Sequence, residues 1–380
     1  MKLSSKLPST GTTIFTVMSA LANQHGAINL SQGFPDFDCD ERLKAYVAEG
    51  MKKGLNQYAP MAGLPILREA IAQKIHRTYG TEIHPDQEIT VCAGATQAIF
   101  TAVSAFVHPG DEVIIIEPAY DCYQPAIEVN GGKAIAYPIT GPDFKVDWTA
   151  FGQLITDRTR MIMINSPHNP TSTKFSEADM QALQDLVRYT NILILSDEVY
   201  EHLVYDGAQH QSVLRYPELY ERSIATYSFG KTFHATGWKM GYAVGPADLM
   251  AEFRKVHQFN VFSVNTPMQY GIAHYLQDPD NYESLPGFFQ RKRDLFMQGL
   301  SESRFDILKP EGTYFMLVDY SRISDESDVN FARRMTIEHG VASIPLSPFY
   351  GTPPGNKVVR FCFAKTENLL ESACEKLITI

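Results

Sequence analysis

Two lysines in the segment SFGKTFHATGWKMG, residues 228–241, have the types and spacing to serve one ligand. Lys231 follows a strand-like run and has no carboxylate beside it in sequence. Lysine forms Schiff bases with aldehydes once its ammonium is partly desolvated. Lys239 comes eight positions later and could pair with a phosphate. The pair fits a ligand with an aldehyde and a phosphate, such as pyridoxal phosphate (PLP), although a solvated loop lysine is the alternative for Lys231.

Polar side chains also stand where predicted strands end. Asp197 follows a wholly apolar run, so its carboxylate should be buried in part and needs a partner. A protonated pyridine nitrogen would serve, and Asp197 would keep that nitrogen protonated so that the ring withdraws electrons. Tyr200 could reach the phenolic oxygen of the same ring, and Asn169 lies in a turn stiffened by two prolines. The alternatives are a cap or surface role for Asp197 and simple turn chemistry at Asn169.

A phosphate site is indicated at the start of a predicted helix. Gly94, Ala95 and Thr96 follow the first predicted strand and open this helix. Backbone N–H groups at a helix start bind phosphate readily, but many helices begin with such residues, so the signal is weak by itself. Ser228 and Lys239 would complete the phosphate cup.

Three further residues could contact a bound ligand. Tyr120 follows a strand and could lay its ring on the cofactor, although plain core packing is the commoner role. Arg360 lies in the apolar run VVRFCF, where a guanidinium is costly unless it meets an anion. A carboxylate suits its planar fork, and an internal salt bridge is the alternative. Gly33 lets the backbone approach a ligand closely, or marks an ordinary domain-entry loop.

The frame that positions these residues is predicted from seven short apolar runs. Most are continuous rather than alternating, so both faces of the strands should be covered, as in a mostly parallel sheet. Helical patterns separate several of them. The sequence therefore predicts an open α/β sheet with its ligands at the carboxyl ends of the strands. The runs are 89–92, 113–116, 134–137, 161–164, 192–195, 224–227 and 242–244.

The character of the chain changes near residue 276, where helices and antiparallel strands replace the strand–helix alternation. An amphipathic helix near the N-terminus should pack with this later part. We therefore expect a large PLP-binding domain at 36–275 and a smaller, discontinuous α+β domain at 1–35 and 276–380. The predicted elements of the later part are helices at 285–300, 329–339 and 367–377 and strands at 305–308, 314–319, 341–345 and 358–363.

The composition excludes several kinds of partner. A formal net charge of −10 without a basic block argues against nucleic acid and anionic membranes. Five scattered cysteines lack metal-ligand spacing, so we expect no metal and reduced thiols in a cytoplasmic protein. The run at 14–22 fits a helix of the mature protein better than a secretory signal. No stretch approaches the ~18 apolar residues that span a bilayer.

The motifs stand in the order and context of one family. SFGKTFHATGWKMG, SDEVY, SPHNPTS, SQGFPDF, NQYAP and VVRFCFAK together resemble the class I PLP-dependent aminotransferases over nearly the whole chain. Within that class the sequence is most similar to bacterial methionine aminotransferases, and next to kynurenine–oxoglutarate and glutamine–phenylpyruvate transaminases. The resemblance implies fold type I, a homodimer with shared active sites, and ping-pong amino transfer from methionine or a large neutral or aromatic L-amino acid to a 2-oxo acid.

The resemblance also implies roles for single residues. Lys231 is the Schiff-base lysine and general base, Asp197 pairs with the pyridine nitrogen, and Tyr200 and Asn169 bind the phenolic oxygen. The phosphate is held by Gly94, Ala95, Thr96, Ser228 and Lys239 and, from the neighbouring subunit, by Tyr58. The substrate carboxylate is received by Gly33, Asn169 and Arg360, and the side-chain pocket is formed by Phe15, Tyr120 and, across the dimer, Phe262.

Three positions depart from the pattern of the family. Ser172 stands where many members have glycine, Ser263 where the kynurenine-type branch often has histidine, and Phe15 where tryptophan is frequent. The last two weaken a kynurenine-type assignment. A carbon–sulfur β-lyase on the same fold stays an alternative, and pyruvate release from cysteine conjugates without an oxo acid would reveal it. A non-catalytic PLP-binding regulator is less favoured, because no basic helix-turn-helix segment precedes the fold.

Overall fold

The computed structural model describes residues 3–8 and 10–380. The α-helices in this part are α1 Ile14–His25, α2 Glu41–Lys52, α3 Pro65–Tyr79, α4 Ala95–Phe106, α5 Tyr123–Val129, α6 Trp148–Gly152, α7 Glu177–Val187, α8 Pro217–Tyr220, α9 Phe229–Thr232, α10 Ala247–Asn260, α11 Thr266–Tyr275, α12 Asp280–Glu283, α13 Leu285–Gly299, α14 Asp328–Glu338 and α15 Glu367–Leu377. The strands are β1 Ile28–Asn29, β2 Ile89–Cys92, β3 Glu112–Glu117, β4 Lys133–Pro138, β5 Thr159–Asn165, β6 Leu193–Asp197, β7 Ser223–Ser228, β8 Gly241–Val244, β9 Asp306–Leu308, β10 Phe315–Asp319, β11 Val341–Ala342, β12 Ile344–Pro345 and β13 Val358–Cys362.

A seven-stranded sheet carries the larger part of the chain, in the order β2-β8-β7-β6-β5-β3-β4. Strand β8 runs antiparallel to both of its neighbours, and the other pairs are parallel. The seven predicted runs correspond to these seven strands, so the expectation of a mostly parallel α/β sheet is confirmed.

The continuous apolar runs follow from burial on both faces of this sheet. In β3, Val113 and Ile115 belong to one hydrophobic cluster, whereas Ile114 and Ile116 belong to the other. Successive side chains of a strand point to opposite faces, so a strand between two cores needs apolar residues throughout. Strand β4 departs from the expectation, because it lies at the edge of the sheet and its residues are exposed or half-buried.

A second sheet is antiparallel and contains β12, β13, β10 and β9 in that order, while β1 and β11 form a short parallel pair. The single strand predicted at 341–345 is wrong. The chain pairs with β1 up to Ala342, passes the buried Ser343, and then pairs with β13 from Ile344. A run of apolar residues cannot reveal such a change of partner.

The N-terminal helix belongs with the C-terminal elements, as predicted. Helix α1 contacts α14 and β11. The division of the chain at residues 36–275 stays a prediction. None of the helices in the described ranges has the length and apolar character to cross a bilayer. The cysteines are free thiols, and the cytoplasmic location stays a prediction.

Candidate active site

One cleft lies at the carboxyl ends of β5, β6 and β7, closed on its sides by the start of α4 and the loop after β1. Most residues singled out from the sequence meet here, because parallel strands end at a common edge of the sheet. The predicted residues that line the cleft are Phe15, Gly33, Gly94, Ala95, Thr96, Tyr120, Asn169, Asp197, Tyr200, Ser228, Lys231, Lys239 and Arg360. Tyr58 and Phe262 are the predicted residues that do not line it.

Lys231 lies in α9, the short helical turn that follows β7, and its side chain is half-buried. Its Nζ donates a hydrogen bond of 3.0 Å to the backbone carbonyl of Gly33. Burial lowers the pKa of Lys231 to about 8. A sizeable fraction of the amine is therefore neutral near physiological pH, which is the form that attacks carbonyl carbons and removes protons.

Asp197 is the last residue of β6 and is 5% exposed. Its Oδ2 accepts a 2.6 Å hydrogen bond from the hydroxyl of Tyr123, and its Oδ1 accepts one of 3.3 Å from the backbone N–H of Val199. Burial nevertheless raises the pKa of Asp197 to about 6. The carboxylate is thus costly to ionise in the protein alone, and a cation in the cleft would relieve that cost.

The start of α4 has the construction of an anion site. Gly94 is the N-cap with a φ of +80°, and no side chain caps the first turn of the helix. A side-chain carbon added at Gly94 would lie 3.6 Å from Nζ of Lys239, so the lysine reaches the helix start. At Gly241 an added carbon would lie 2.5 Å from the carbonyl oxygen of Tyr227, so only glycine fits beside the start of α4. Free N–H groups, a helix dipole and an ammonium together favour a phosphate.

Arg360 in β13 is 1% exposed, and its Nη1 donates a 2.5 Å hydrogen bond to Oδ1 of Asn169. Its guanidinium carbon lies 3.8 Å from the ring centroid of Phe315. Among the described residues no carboxylate lies within ion-pair distance of Arg360, so the alternative of an internal salt bridge is wrong. Burial lowers the pKa of Arg360 to about 10, which still leaves it charged at neutral pH. A buried cation without an acid partner fits a substrate carboxylate.

Aromatic rings form part of the remaining walls of the cleft, together with Ile99, Val199 and Met240. The ring of Phe15 lies 5.3 Å from the guanidinium carbon of Arg360 and packs against Phe349, with ring centroids 5.5 Å apart. Tyr120 meets Tyr123 edge to face at 5.9 Å. The walls beside Arg360 are therefore apolar surfaces that can cover the side chain of a substrate.

Sequence reasoning missed several residues of the cleft. Tyr123, which donates to Asp197, stands three positions after Tyr120, but nothing in that spacing indicates which acid it contacts. Gln32, Phe34 and Phe315 line the cleft itself, whereas Tyr123 contacts two residues that line it, Tyr120 and Asp197. They come from loops and strands far apart in sequence, and no periodic pattern brings them together. The motifs SQGFPDF and GTYF were the local signals that could have drawn attention to them.

Comparison with known proteins places the chain in a family. Residues 25–377 match the family model described as "Aminotransferase class I and II". The chain belongs to this family, and with it to the PLP-dependent aminotransferases of fold type I. The cleft fits that cofactor, because it offers a half-buried lysine, a buried carboxylate in need of a cation, and a helix start free to bind a phosphate.

Individual relatives match nearly the whole chain. The chain is 52% identical over 374 residues, 98% of its length and 97% of the relative's, to the methionine aminotransferase of Escherichia coli strain K12. A crystal structure of YbdL from E. coli, whose study identifies a methionine aminotransferase function, superposes with a TM-score of 0.99 at 51% identity and covers 100% of both chains. Human kynurenine–oxoglutarate transaminase 1 is 34% identical over 392 residues, 94% of this chain and 93% of that protein.

Proposed function

We propose that this aminotransferase takes the amino group of methionine, or of another large neutral or aromatic L-amino acid, and transfers it to a 2-oxo acid. The observation that carries the proposal is the position of Arg360. Its buried guanidinium has no acid partner among the described residues and faces the same cleft as the half-buried Lys231. The similarity to the methionine aminotransferase of E. coli supports the choice of donor.

The residues of the cleft divide the chemistry among them. PLP, when bound, supplies an aldehyde that binds the amine and a ring that withdraws electrons from it. Gly94, Ala95, Thr96, Ser228 and Lys239 would hold its phosphate. Asp197 would keep the ring nitrogen protonated, and Tyr200 and Asn169 would face the phenolic oxygen, with Tyr120 over the ring.

Lys231 would do the proton transfer. Its amine is anchored beside Gly33 and is partly neutral near physiological pH because burial lowers its pKa to about 8. Arg360 and Asn169, joined by their hydrogen bond, would fix the substrate carboxylate, so that the Cα–H bond points at this amine. A general base held in place contributes about 10²–10⁴-fold to a rate. The aromatic walls would exclude water from the reacting carbon.

The kynurenine-type alternative gains no support from Ser263. Its hydroxyl donates a 2.9 Å hydrogen bond to the backbone carbonyl of Ala59, so it closes a loop contact. A hydroxyl used in this way offers less to a substrate than the imidazole frequent in that branch. The β-lyase alternative uses the same lysine and stays open. Incubation with a cysteine conjugate in the absence of any oxo acid, with pyruvate as the readout, separates lyase from transaminase activity.

We expect methionine to be a far better donor than aspartate. Within the described part of the cleft the cations are Lys231, Lys239 and Arg360, each of which already has a role. An aspartate side chain would lose its hydration against aromatic rings without a partner, and an unpaired buried charge costs enough to lower kcat/KM by about a hundredfold or more. Steady-state rates with each donor and one oxo acid measure the ratio of the two kcat/KM values.

Norleucine is the matched control for methionine, because it replaces the sulfur by a methylene group. Contacts between sulfur and aromatic rings are worth about 0.3–1.5 kcal/mol, so norleucine should lose roughly tenfold at most. A methionine-to-aspartate ratio at or below one would mean that another cation, from a segment or subunit outside this cleft, meets the side chain. The proposed donor class would then be wrong.

We also propose a homodimer in which each subunit completes the other's site. Tyr58 is 83% exposed and Phe262 43% exposed, and their rings meet edge to face at 5.4 Å. Phe262 has a φ of +67°, a backbone conformation that aromatic residues rarely adopt and that is found mainly at functional sites. Phe259 is 86% exposed. Large exposed aromatic surfaces of this kind usually mark an interface.

Mixing Tyr58→Phe chains with Lys231→Ala chains should restore activity if Tyr58 acts across the interface. In the mixed dimer one site then takes Lys231 from the first chain and Tyr58 from the second, and carries neither lesion. Random exchange should recover about one quarter of the wild-type rate, because half of the dimers are mixed and each has one intact site. The measurement is the transamination rate after subunit exchange, with mixed dimers quantified by two affinity tags.

A mixture of Asp197→Asn and Lys231→Ala chains is the control. Both residues line one cleft within the same chain, so exchange cannot create an intact site. Recovery in this control would mean that the two residues serve different sites. Absence of recovery with Tyr58→Phe, once mixed dimers are verified, would place Tyr58 and Lys231 in the same site of one chain.

A further inference from the structure

The backbone carbonyl of Gly33 accepts two hydrogen bonds at the centre of the cleft. One comes from Nζ of Lys231 at 3.0 Å, and the other from the hydroxyl of Tyr314 at 2.7 Å. Tyr314 is fully buried and immediately precedes β10. A carbonyl oxygen has two lone pairs, so these two donors use its full capacity.

A second contact restrains the loop that carries this carbonyl. A side-chain carbon added at Gly33 would lie 3.0 Å from Cζ of Phe315, so the loop backbone rests directly on that ring. The hydroxyl of Tyr314, which belongs to the neighbouring residue, grips the carbonyl oxygen. The residue pair Tyr314 and Phe315 therefore fixes both the position and the direction of the acceptor that Lys231 uses.

The same tyrosine also forms part of the surface under the lysine. Nζ of Lys231 lies 5.7 Å from the ring centroids of both Tyr314 and Tyr200. The two rings meet edge to face with centroids 5.2 Å apart and an interplanar angle of 85°. The amine therefore lies between two ring surfaces and one carbonyl. Of these three groups, the carbonyl is the one that accepts a hydrogen bond from the amine.

The hydrogen bond from Tyr314 to the carbonyl of Gly33 alters the interaction of that carbonyl with Lys231. A carbonyl attracts an ammonium more strongly than a neutral amine, because bonds to charged donors are the stronger ones. The hydroxyl of Tyr314 already engages the oxygen and places its positive end close to the lysine. This arrangement weakens the preference of the carbonyl for the ammonium form, while the N–H bond still sets the orientation of the amine.

We propose that Tyr314 is a positioning residue for Lys231, acting through the backbone carbonyl of Gly33, and that it keeps the free lysine amine oriented and uncharged for proton removal. The proposal rests on the proposed role of Lys231 as general base. Among the described residues Tyr314 contacts neither Arg360, at the substrate carboxylate site, nor Gly94, at the helix start, and the phenylalanine variant keeps the ring that meets Tyr200. Its effect should therefore fall on the proton-transfer step and not on binding.

Tyr314→Phe removes the hydroxyl and keeps the ring. We expect kcat with methionine to fall about tenfold, the effect of losing one orienting hydrogen bond, while KM stays within about twofold. The primary isotope effect on kcat with methionine deuterated at Cα should rise, because proton removal then limits the rate more fully. Tyr320→Phe is the matched control, since Tyr320 is also fully buried and donates to a backbone carbonyl, that of Glu326, at the opposite end of β10 from Tyr314.

A second measurement uses the enzyme without its cofactor and does not depend on turnover. Acetylation of Lys231 by acetic anhydride, followed across pH by mass spectrometry of its peptide, gives the midpoint at which the amine becomes neutral. In Tyr314→Phe this midpoint should shift upward by about one pH unit, because the carbonyl then favours the ammonium form. Tyr320→Phe should leave the midpoint where the wild type has it.

Rescue distinguishes positioning from a general loss of structure. Incorporating 4-aminophenylalanine at position 314 restores an N–H donor on the same ring and should return both the isotope effect and the labelling midpoint toward wild type. The rescue also decides the matter if Tyr314→Phe folds poorly. An unchanged midpoint and isotope effect in Tyr314→Phe, or a rise in KM alone, would overturn the proposal. If the cofactor is fixed to a lysine other than Lys231, the proposed function fails first.

Discussion

Replacing Lys231 with alanine should abolish transamination. The side chain is expected both to bind the cofactor covalently and to move the proton, and the base alone accounts for about 10²–10⁴-fold of the rate. We therefore expect a loss of at least about 10⁴-fold with methionine as donor. The wild-type protein with cofactor should be yellow, and borohydride should fix the cofactor to the peptide that contains Lys231. Steady-state rates and peptide mapping measure the two outcomes.

Lys239→Ala is the matched control, because this lysine lines the same cleft but reaches the helix start. It should weaken the binding of the cofactor and leave Lys231 as the labelled residue. A reduced adduct on Lys239 in the wild type, or turnover by Lys231→Ala near the wild-type rate, would show that the roles of the two lysines have been assigned wrongly.

The sequence predicted the strands and the strand-end residues well, for one physical reason. A strand buried on both faces is apolar over most of its length, so a polar residue at its end stands out, as Asp197 does in β6, and Lys231 stands out in the short helical turn just after β7. Parallel strands then bring their ends together, and the cleft contains both residues. Local sequence and topology agree here, which is why so much of the cleft could be predicted.

Contacts between distant segments could not be predicted in the same way. Tyr123 reaches Asp197 across 74 residues of chain, and Tyr314 reaches Gly33 across 281. Neither tyrosine stands in a pattern that names its partner, because hydrogen bonds of this kind depend on how helices and loops pack in three dimensions. The break in the strand at Ser343 was missed for the same reason, since two sheets compete for one apolar run.

Tyr58 and Phe262 have predicted roles that require a second subunit. Their roles come from the resemblance, and in one chain they form an exposed aromatic pair that does not line the cleft. Paired exposed rings of this kind are common at interfaces, and the subunit-exchange experiment tests whether a second copy of the chain covers them.

Asp197→Asn should keep the fold and lose most of the activity. The hydroxyl of Tyr123 can still donate to the amide oxygen, so the shorter of the two local hydrogen bonds survives, while the 3.3 Å bond from the backbone N–H of Val199 is lost. An amide cannot hold a ring nitrogen protonated, and loss of one partner of a buried charge pair costs about 3–5 kcal/mol. We therefore expect kcat with methionine to fall by about a hundredfold or more. A rate near that of the wild type would contradict the electron-withdrawing role given to Asp197.

Although Asp197→Asn should lower activity, it should raise the free energy of unfolding of the protein without cofactor. Burial raises the pKa of Asp197 from its ordinary value of 3.8 to about 6, so the folded protein holds a proton that the unfolded chain releases between these pH values. The free energy of unfolding therefore falls as pH rises through this window, by about 3 kcal/mol for a shift of this size. Above pH 6 the full cost is present, and below 3.8 it is absent.

Asparagine carries no charge, so Asp197→Asn without cofactor should unfold at a higher denaturant concentration than the wild type at pH 8, and at a similar one at pH 4. Adding PLP should reverse the order at pH 8, because the cofactor supplies the cation that the carboxylate lacks and stabilises the wild type more. Urea unfolding of both proteins, with and without PLP at the two pH values, measures this. Equal stabilisation of both proteins by PLP would show that Asp197 does not pair with a charge on the cofactor.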